Sequence, residues 1–206
     1  MEQGTPEWKE ARLGKVTASR VADVIAKTKT GVSASRANYA AQLIAERLTC
    51  TAADGYTNAA MQWGTETEDS ARAAYEFHTG VVIEQVGFIR HPSIEMSGAS
   101  PDGLAGEDGL IECKCPNTAT HIETLIGGKV PSKYVTQMQW QMACTGRKWC
   151  DFVSYDPRMP ERMRLFIQRV NRDDKLIDEL EGEVVGFLGE LDERMKVLTR
   201  KFPEAA

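Results

Sequence analysis

The stretch between residues 100 and 115 constrains the fold of this chain more than any other. It opens with Ser100-Pro101-Asp102-Gly103 and ends with a short, mostly apolar segment over 110–115. Side chains two residues apart on a β-strand lie on the same face. A strand over 110–115 therefore carries Glu112 and Lys114 on one face and apolar residues on the other. This pattern predicts a strand that presents a charged pair at an edge of a sheet.

A second carboxylate stands close to this pair. Asp102 precedes Gly103, and a tight turn at that point would bring its carboxylate back toward Glu112. Two carboxylates on a rigid sheet form the hard, oxygen-rich site that Mg²⁺ prefers, and Lys114 could align or deprotonate a water molecule there. The pattern predicts metal-dependent phosphodiester cleavage. The alternative is that Pro-Asp-Gly is a plain hairpin turn and that Glu112 and Lys114 lie on a solvated strand face.

Length and composition restrict the class of protein. The 206 residues are enough for one packed domain, and no apolar run reaches the ~18 residues of a membrane span. The first residues lack the basic and apolar regions of a signal peptide. The five cysteines are an odd number without C-x₂-C spacing, which favours reduced thiols in a cytoplasmic protein. We expect Cys113 and Cys115 in the core rather than in an iron–sulfur cluster, which needs four thiolates.

The net charge of −5 is unevenly distributed along the chain. Residues 1–50 carry a net +3 and residues 112–172 a net +5, whereas residues 51–111 carry −8 and residues 173–206 carry −5. Two basic segments thus flank an acidic centre that metal ions could neutralise. A DNA-binding groove is compatible with this distribution.

Apolar periodicity predicts helices and strands in mixed order. Helices are predicted at 8–15, from residue 21, and at 36–48, 59–79, 117–129, 131–145 and about 173–200. Strands are predicted at 81–91, 95–100, 109–115, 148–156 and 164–170. A mobile loop is predicted over 27–35 and a linker over 49–57. We expect a single domain over 1–206 of the α/β (α+β) class, with a mixed central β-sheet flanked by helices.

The segment around residues 12–21 holds a candidate anion site. Thr17 or Ser19 is a suitable N-cap for the helix that starts near Val21. A helix N-terminus, the Ser19 hydroxyl and the Arg12 guanidinium would together suit a terminal phosphate. The alternative is ordinary capping, with Arg12 on the surface.

Six motifs occur in a fixed order between about residues 8 and 170. They are Arg12-Leu13-Gly14 with Val16-Thr17-Ala18-Ser19, Trp63-Gly64 with Glu68, Ser100-Pro101-Asp102-Gly103, Glu112-Cys113-Lys114-Cys115-Pro116, Tyr134 with Gln137 and Gln139, and Tyr155-Asp156-Pro157-Arg158-Met159. In this order they resemble the phage lambda exonuclease family, the YqaJ-like viral recombinases.

The resemblance implies a restriction-endonuclease-like PD-(D/E)XK core. It also implies a Mg²⁺-dependent exonuclease that digests one strand of duplex DNA from its 5′ end, releases mononucleotides and leaves a 3′ overhang. Two Mg²⁺ ions per active site are implied, with Mn²⁺ as a possible substitute. A two-metal site would stabilise both the attacking and the leaving oxygen of the in-line displacement.

The resemblance also implies a role for each site residue. Asp102 and Glu112 would bind metal with the backbone carbonyl of Cys113, and Glu68 would bind a second metal. Lys114 would position the attacking water, and Gln137 would lie beside the site. Together these implied catalytic residues are Asp102, Glu112, Lys114 and Gln137. Arg12 and Ser19 match the family's 5′-phosphate pocket.

The implied partners are double-stranded DNA ends, two further copies of the chain in a ring-shaped homotrimer, and a single-strand annealing protein. We expect no membrane partner and a cytoplasmic protein encoded by a bacterium, phage or prophage. Two alternatives stay open: a structure- or sequence-specific endonuclease on the same core, and a non-catalytic DNA-end binder.

Overall fold

The computed structural model describes residues 1–29, 31–52 and 59–203. Most of the linker predicted over 49–57, and Thr30 in the loop predicted over 27–35, lie outside the described residues. The described part of the chain contains no helix with the length and apolarity needed to cross a membrane.

The helices of the described residues agree closely with the apolar periodicity. They are α1 (Pro6–Arg12), α2 (Val21–Ile25), α3 (Ala34–Thr49), α4 (Ala59–Thr79), α5 (Thr118–Gly127), α6 (Ser132–Thr145) and α7 (Asp174–Lys201). Short 3-10 helices occupy Ala18–Arg20 and Glu161–Met163.

Helix α7 shows why apolar periodicity predicts a helix reliably when it extends over many turns. The Asp173 side chain accepts a hydrogen bond from Leu176 N and caps the first turn. Residues three and four apart then recur on one buried face, which carries Ile177, Leu180, Val184, Phe187 and Leu191.

The strands of the described residues form three sheets. The strands are β1 (Val16–Thr17), β2 (Lys27–Thr28), β3 (Gly31–Val32), β4 (Ile83–Glu84), β5 (Ile89–Arg90), β6 (Ser97–Ala99), β7 (Gly103–Ala105), β8 (Gly109–Lys114), β9 (Trp149–Tyr155) and β10 (Leu165–Asn171). A five-stranded sheet has the order β10-β9-β8-β7-β4, a three-stranded sheet the order β1-β6-β5, and β2 and β3 form a hairpin. Parallel pairing of β8 with β9, next to antiparallel neighbours, makes the larger sheet mixed.

Helices cover both faces of the five-stranded sheet. On one face Tyr75 of α4 packs with Ile111 and Cys113 of β8. On the other face Met138 and Met142 of α6 pack with the sheet. The far side of α6 buries Trp140 in a helical layer formed with α2, α3 and α7. The mixed α+β fold with a helix-flanked mixed sheet is therefore confirmed.

Several strand predictions need correction. The strand predicted over 81–91 is two short strands, β4 and β5, which belong to different sheets. Between them, a side chain at Gly87 would lie 2.4 Å from Met1 O, so the N-terminal residues pack where a continuous strand would run. The loop predicted over 27–35 contains the β2–β3 hairpin. β1 and β7 lie in segments where no strand is predicted, because two or three residues give no readable alternation.

The charged pair does not lie at a sheet edge. β8 is the third strand of five, with β9 on one side and β7 on the other. The prediction of an edge position is wrong because alternation within one strand carries no information about its neighbours. Glu112 instead meets the helix that covers its face.

Candidate active site

Glu112 lies at the centre of a buried polar cluster under α6. Its side chain is 1% exposed, because strand alternation turns it away from α4 and toward α6. Oε1 accepts hydrogen bonds from Gln137 Nε2 over 2.6 Å and from Lys114 Nζ. Oε2 accepts one from Gln141 Nε2. Both carboxylate oxygens are thus held by donors from β8 and α6.

Asp102 reaches the same strand from a bend in front of β7. Its Oδ2 accepts a hydrogen bond from the backbone N–H of Cys113 over 2.7 Å. Burial, followed by the negative charges of Glu112 and Glu68, raises the pKa of Asp102 well above its ordinary value. The negative charges around Asp102 therefore outweigh the positive charge of Lys114.

Gly103 does not form the tight turn that the Pro-Asp-Gly pattern suggests. It is the first residue of β7 and pairs with Ile111. A Cβ at this position would lie 2.1 Å from Ile83 Cγ2, so only glycine lets β4 approach β7 this closely. The plain hairpin-turn alternative is wrong for the same reason, since the β7–β8 turn follows Ala105.

Lys114 stays on the same face of β8 as Glu112. Burial acts to lower the pKa of Lys114, but the charges of Glu112 and Asp102 outweigh it and raise that pKa. Its Nζ also lies 5.2 Å from the centre of the Tyr134 ring. Lys114 is therefore a cation held between two carboxylates and an aromatic face.

Glu68 lies on α4 and contributes negative charge to the site, but its side chain is paired with Arg72. The charge of Glu68 acts on Asp102, yet its carboxylate forms an ion pair with Arg72, one turn further along the helix. Arg72 also pairs with Asp69. In the part of the chain that the structure describes, no three His, Cys, Asp or Glu side chains stand ready-made to hold a metal ion.

The donor set nevertheless fits a hard divalent cation. Asp102, Glu112 and Glu68 offer carboxylate oxygens, which are ligands that Mg²⁺ selects. In addition to burial, the charges of Glu112 and Glu68 raise the pKa of Asp102 more than the charge of Lys114 lowers it, so negative charge is left uncompensated here. A cation here would relieve that repulsion, provided that Glu68 turns from Arg72.

A separate cationic cavity of about 1000 Å³ contains Arg12 and Ser19. Its walls also carry Lys9, Lys15 and Arg20, so that four basic side chains line it together with the two carboxylates Glu46 and Glu66. The Arg12 guanidinium stacks on Trp8, 3.9 Å from the ring centre, and burial lowers the pKa of Arg12. An anion in the cavity would offset that burial cost.

Local structure around this cavity differs in one respect from the prediction. Thr17 precedes the 3-10 helix Ala18–Arg20 but makes no side-chain cap bond, and Arg20 rather than Ser19 precedes α2. The helix begins at Val21 as predicted, but the capping prediction is wrong because residues 18–20 form a 3-10 turn, which leaves Arg20 at the N-cap of α2. The Ser19 hydroxyl lies 3.5 Å from Thr17 Oγ1.

The structure adds two side chains that the sequence analysis does not assign to a site. Gln141 contacts Glu112, and its position one helical turn after Gln137 is the signal that could have identified it. Trp8 lines the cavity and donates from Nε1 to Ser100 Oγ over 2.9 Å. No sequence periodicity links those two, because they lie 92 residues apart.

Comparison with known proteins gives consistent results. The YqaJ-like viral recombinase domain matches residues 7–148. No protein with a curated description matches. Among solved structures, an alkaline exonuclease (LHK-Exo) from Laribacter hongkongensis is 58% identical, with a TM-score of 0.91 over 98% of this chain and 100% of that chain.

Two further structures are similar. The Laribacter protein in complex with dAMP has a TM-score of 0.92 at the same identity and coverage. A phage-related exonuclease from Haemophilus somnus 129PT shares the fold, with a TM-score of 0.71 at 16% identity over 89% of this chain and 96% of that chain. The chain belongs to the YqaJ-like viral recombinase family, the lambda exonuclease family that its motifs resemble.

Proposed function

We propose that this chain is a Mg²⁺-dependent exonuclease that degrades one strand of linear double-stranded DNA in the 5′→3′ direction. It acts from a 5′-phosphorylated end, releases mononucleotides and leaves 3′ overhangs for recombination by strand annealing. The observation that carries the proposal is the convergence of Asp102, Glu112 and Lys114 at the end of β8. Similarity to the Laribacter alkaline exonuclease and to its dAMP complex supports it.

The same residues account for the chemistry. Asp102, Glu112, Glu68 and the Cys113 carbonyl would hold two Mg²⁺, or Mn²⁺ in their place. When bound, Mg²⁺ stabilises charge on the attacking and leaving oxygens of a phosphodiester. Lys114, held as a cation, would orient a water molecule, and Gln137 keeps Glu112 in place.

The cationic cavity supports the proposed 5′→3′ direction of digestion. Arg12 and Ser19 would bind the terminal 5′-phosphate through charge-assisted hydrogen bonds. Ser100 borders both regions, since it contacts Trp8 of the cavity and lies two residues before Asp102. An enzyme that recognises the end and cuts beside it needs these two sites to be close.

Three broader features complete the proposal. A homotrimeric ring around the DNA would keep a chain of net charge −5 on its substrate, and a single-strand annealing protein would use the overhang. Both belong in the cytoplasm of a bacterium that carries the gene or its phage.

The experiment uses blunt linear duplex DNA with one 5′-phosphorylated strand, a different label on each strand, and Mg²⁺. We expect loss of the phosphorylated strand as mononucleotides, with no loss in EDTA. Lys114→Ala should abolish digestion and leave DNA binding intact. Lys133→Ala is the matched control, since this exposed lysine contacts the same Tyr134 ring, 4.6 Å from its centre, without contacting Glu112.

A covalently closed circular duplex separates the alternatives. The exonuclease leaves it intact, whereas an endonuclease linearises it. DNA-end binding without metal-dependent turnover would indicate a non-catalytic binder. Mg²⁺-dependent digestion by Lys114→Ala would contradict the role given to that lysine.

A further inference from the structure

Gln141 holds one oxygen of the Glu112 carboxylate from a fully buried position. Its side chain is 0% exposed, and its Nε2 donates to Glu112 Oε2 over 2.5 Å. At the other end of the amide, Oε1 lies 3.9 Å from the Cys150 thiol, which can donate to it. The thiol and the carboxylate therefore fix which way the amide points.

The two oxygens of Glu112 have different surroundings. Oε2 accepts a hydrogen bond from Gln141, whose side chain is fully buried. Oε1 is shared by Lys114 and Gln137, whose side chains are both partly exposed. A ligand arriving from solvent would therefore meet Oε1, while Oε2 stays anchored behind it.

A neighbouring glutamine shows that this contact is not a general feature of α6. Gln139 is also buried, at 2% exposed, but it lies on another side of the helix. Its Nε2 donates to Asn171 O over 2.8 Å, and its Oε1 accepts from Asp173 N over 2.9 Å. Gln139 therefore joins α6 to the start of α7, whereas Gln141 points at the carboxylate.

We propose that Gln141 is a positioning residue that holds Glu112 ready for a divalent cation and thereby sets the affinity of the site for Mg²⁺. This inference rests on the proposed function, because it assigns Glu112 as a metal ligand. Groups that orient a metal ligand from behind change metal affinity by about 10- to 100-fold when they are removed. Without Gln141, Oε2 is buried with no donor, and the carboxylate turns further toward Lys114.

The test compares two substitutions of similar shape. Gln141→Met and Gln139→Met each replace a buried amide with an apolar side chain of nearly equal length. Isothermal titration calorimetry of Mg²⁺ into the DNA-free protein gives the affinity directly. We expect a dissociation constant about 10- to 100-fold higher for Gln141→Met and close to wild type for Gln139→Met. Gln139→Met should instead lower the melting temperature.

Kinetics with DNA supply a second measurement. For Gln141→Met we expect a lower kcat that rises with added Mg²⁺, and an unchanged affinity for DNA ends measured by fluorescence anisotropy in Ca²⁺. If Gln141→Met does not fold, Cys150→Ala removes only the thiol behind the amide and should weaken Mg²⁺ binding in the same direction.

The outcomes separate this inference from the proposed function. Wild-type Mg²⁺ affinity in a folded Gln141→Met protein, or in Cys150→Ala if that variant must replace it, overturns the inference. A wild type that binds Mg²⁺ but digests no DNA contradicts the proposed function. In that case a weaker affinity in Gln141→Met still supports the positioning of a cation site.

Discussion

The indole nitrogen of Trp8 donates a hydrogen bond to Ser100 Oγ over 2.9 Å, and this contact joins the cationic cavity to the bend that holds Asp102. The face of the same indole carries the Arg12 guanidinium. Close by, Gln3 Nε2 donates to the carbonyls of Pro101 and Val86. The N-terminal segment therefore supports both the bend that holds Asp102 and one wall of the cavity.

Trp8→Phe isolates the hydrogen bond from the stacking. Phenylalanine keeps an aromatic face for Arg12 but has no N–H for Ser100. We expect single-turnover digestion of 5′-phosphorylated duplex to slow, because the bend with Asp102 is held less firmly, and the free energy of unfolding to fall by about 0.5–1.5 kcal/mol, the value of one neutral hydrogen bond. Ser100→Ala removes the same bond from the other side, so the double variant should be no slower than either single one. Fully additive losses would show that the two residues act independently.

Arg12→Ala tests the cavity as a phosphate site. Loss of a charged donor to an anion costs about 1.5–3 kcal/mol, or about 10- to 100-fold in the preference for 5′-phosphorylated over 5′-hydroxyl ends. Paired digestion rates on the two substrates measure that preference. Lys9→Ala is the matched control, because Lys9 lines the same cavity from an exposed position. Equal digestion rates of 5′-phosphorylated and 5′-hydroxyl ends by the wild type would contradict a phosphate site in this cavity.

Where the sequence pattern was long or chemically unusual, it predicted the structure well. Alternation along β8 correctly turns Glu112 and Cys113 to opposite faces, toward α6 and α4. The buried stripe of α7 was equally readable. These features depend on residues close in sequence, so a local pattern is enough to reveal them.

Contacts between distant residues were not predictable in this way. The central position of β8, the division of 81–91 between two sheets, and the Trp8–Ser100 bond each depend on pairing across the chain. The Tyr155-Asp156-Pro157-Arg158 motif illustrates the same limit. Its pattern is recognisable, but only the fold shows that Asp156 ties the end of β9 to Thr118 at the start of α5.

Gly14→Ala tests why a glycine follows Arg12-Leu13. Gly14 has a φ of +66°, and a Cβ there would lie 2.7 Å from Arg47 Cγ. Its N–H also donates to Glu46 Oε2, and its carbonyl accepts from Arg47 Nε. We expect the free energy of unfolding, measured with urea, to fall by about 2–4 kcal/mol from strain plus displacement of Arg47.

Gly128→Ala supplies the control for backbone strain alone. Gly128 has a φ of +56°, but a Cβ there would meet open space. Its cost should be about 1–2 kcal/mol. Equal losses in the two variants would mean that the contact with Arg47 contributes nothing.

Asp156 gives the fold a dependence on acid pH. Burial acts to raise the pKa of Asp156, but hydrogen bonds from Arg158 and Thr118 outweigh it and lower the pKa to about 2. The folded state therefore binds this proton less readily than the unfolded chain, whose aspartate titrates near about 3.9. The stabilisation is complete above about pH 4 and is lost as the pH falls toward about 2.

Asp156→Asn should remove that stabilisation. Since the lost hydrogen bonds involve a charged group, we expect the free energy of unfolding at pH 7 to fall by about 1.5–3 kcal/mol. The difference from wild type should shrink between about pH 4 and about pH 2, where wild-type Asp156 becomes protonated. Asp108→Asn is the control, because its exposed pair with Lys148 is worth about 0–1 kcal/mol. A difference between wild type and Asp156→Asn that stays constant down to pH 2 would contradict a lowered pKa, since the contribution would then not depend on the charge.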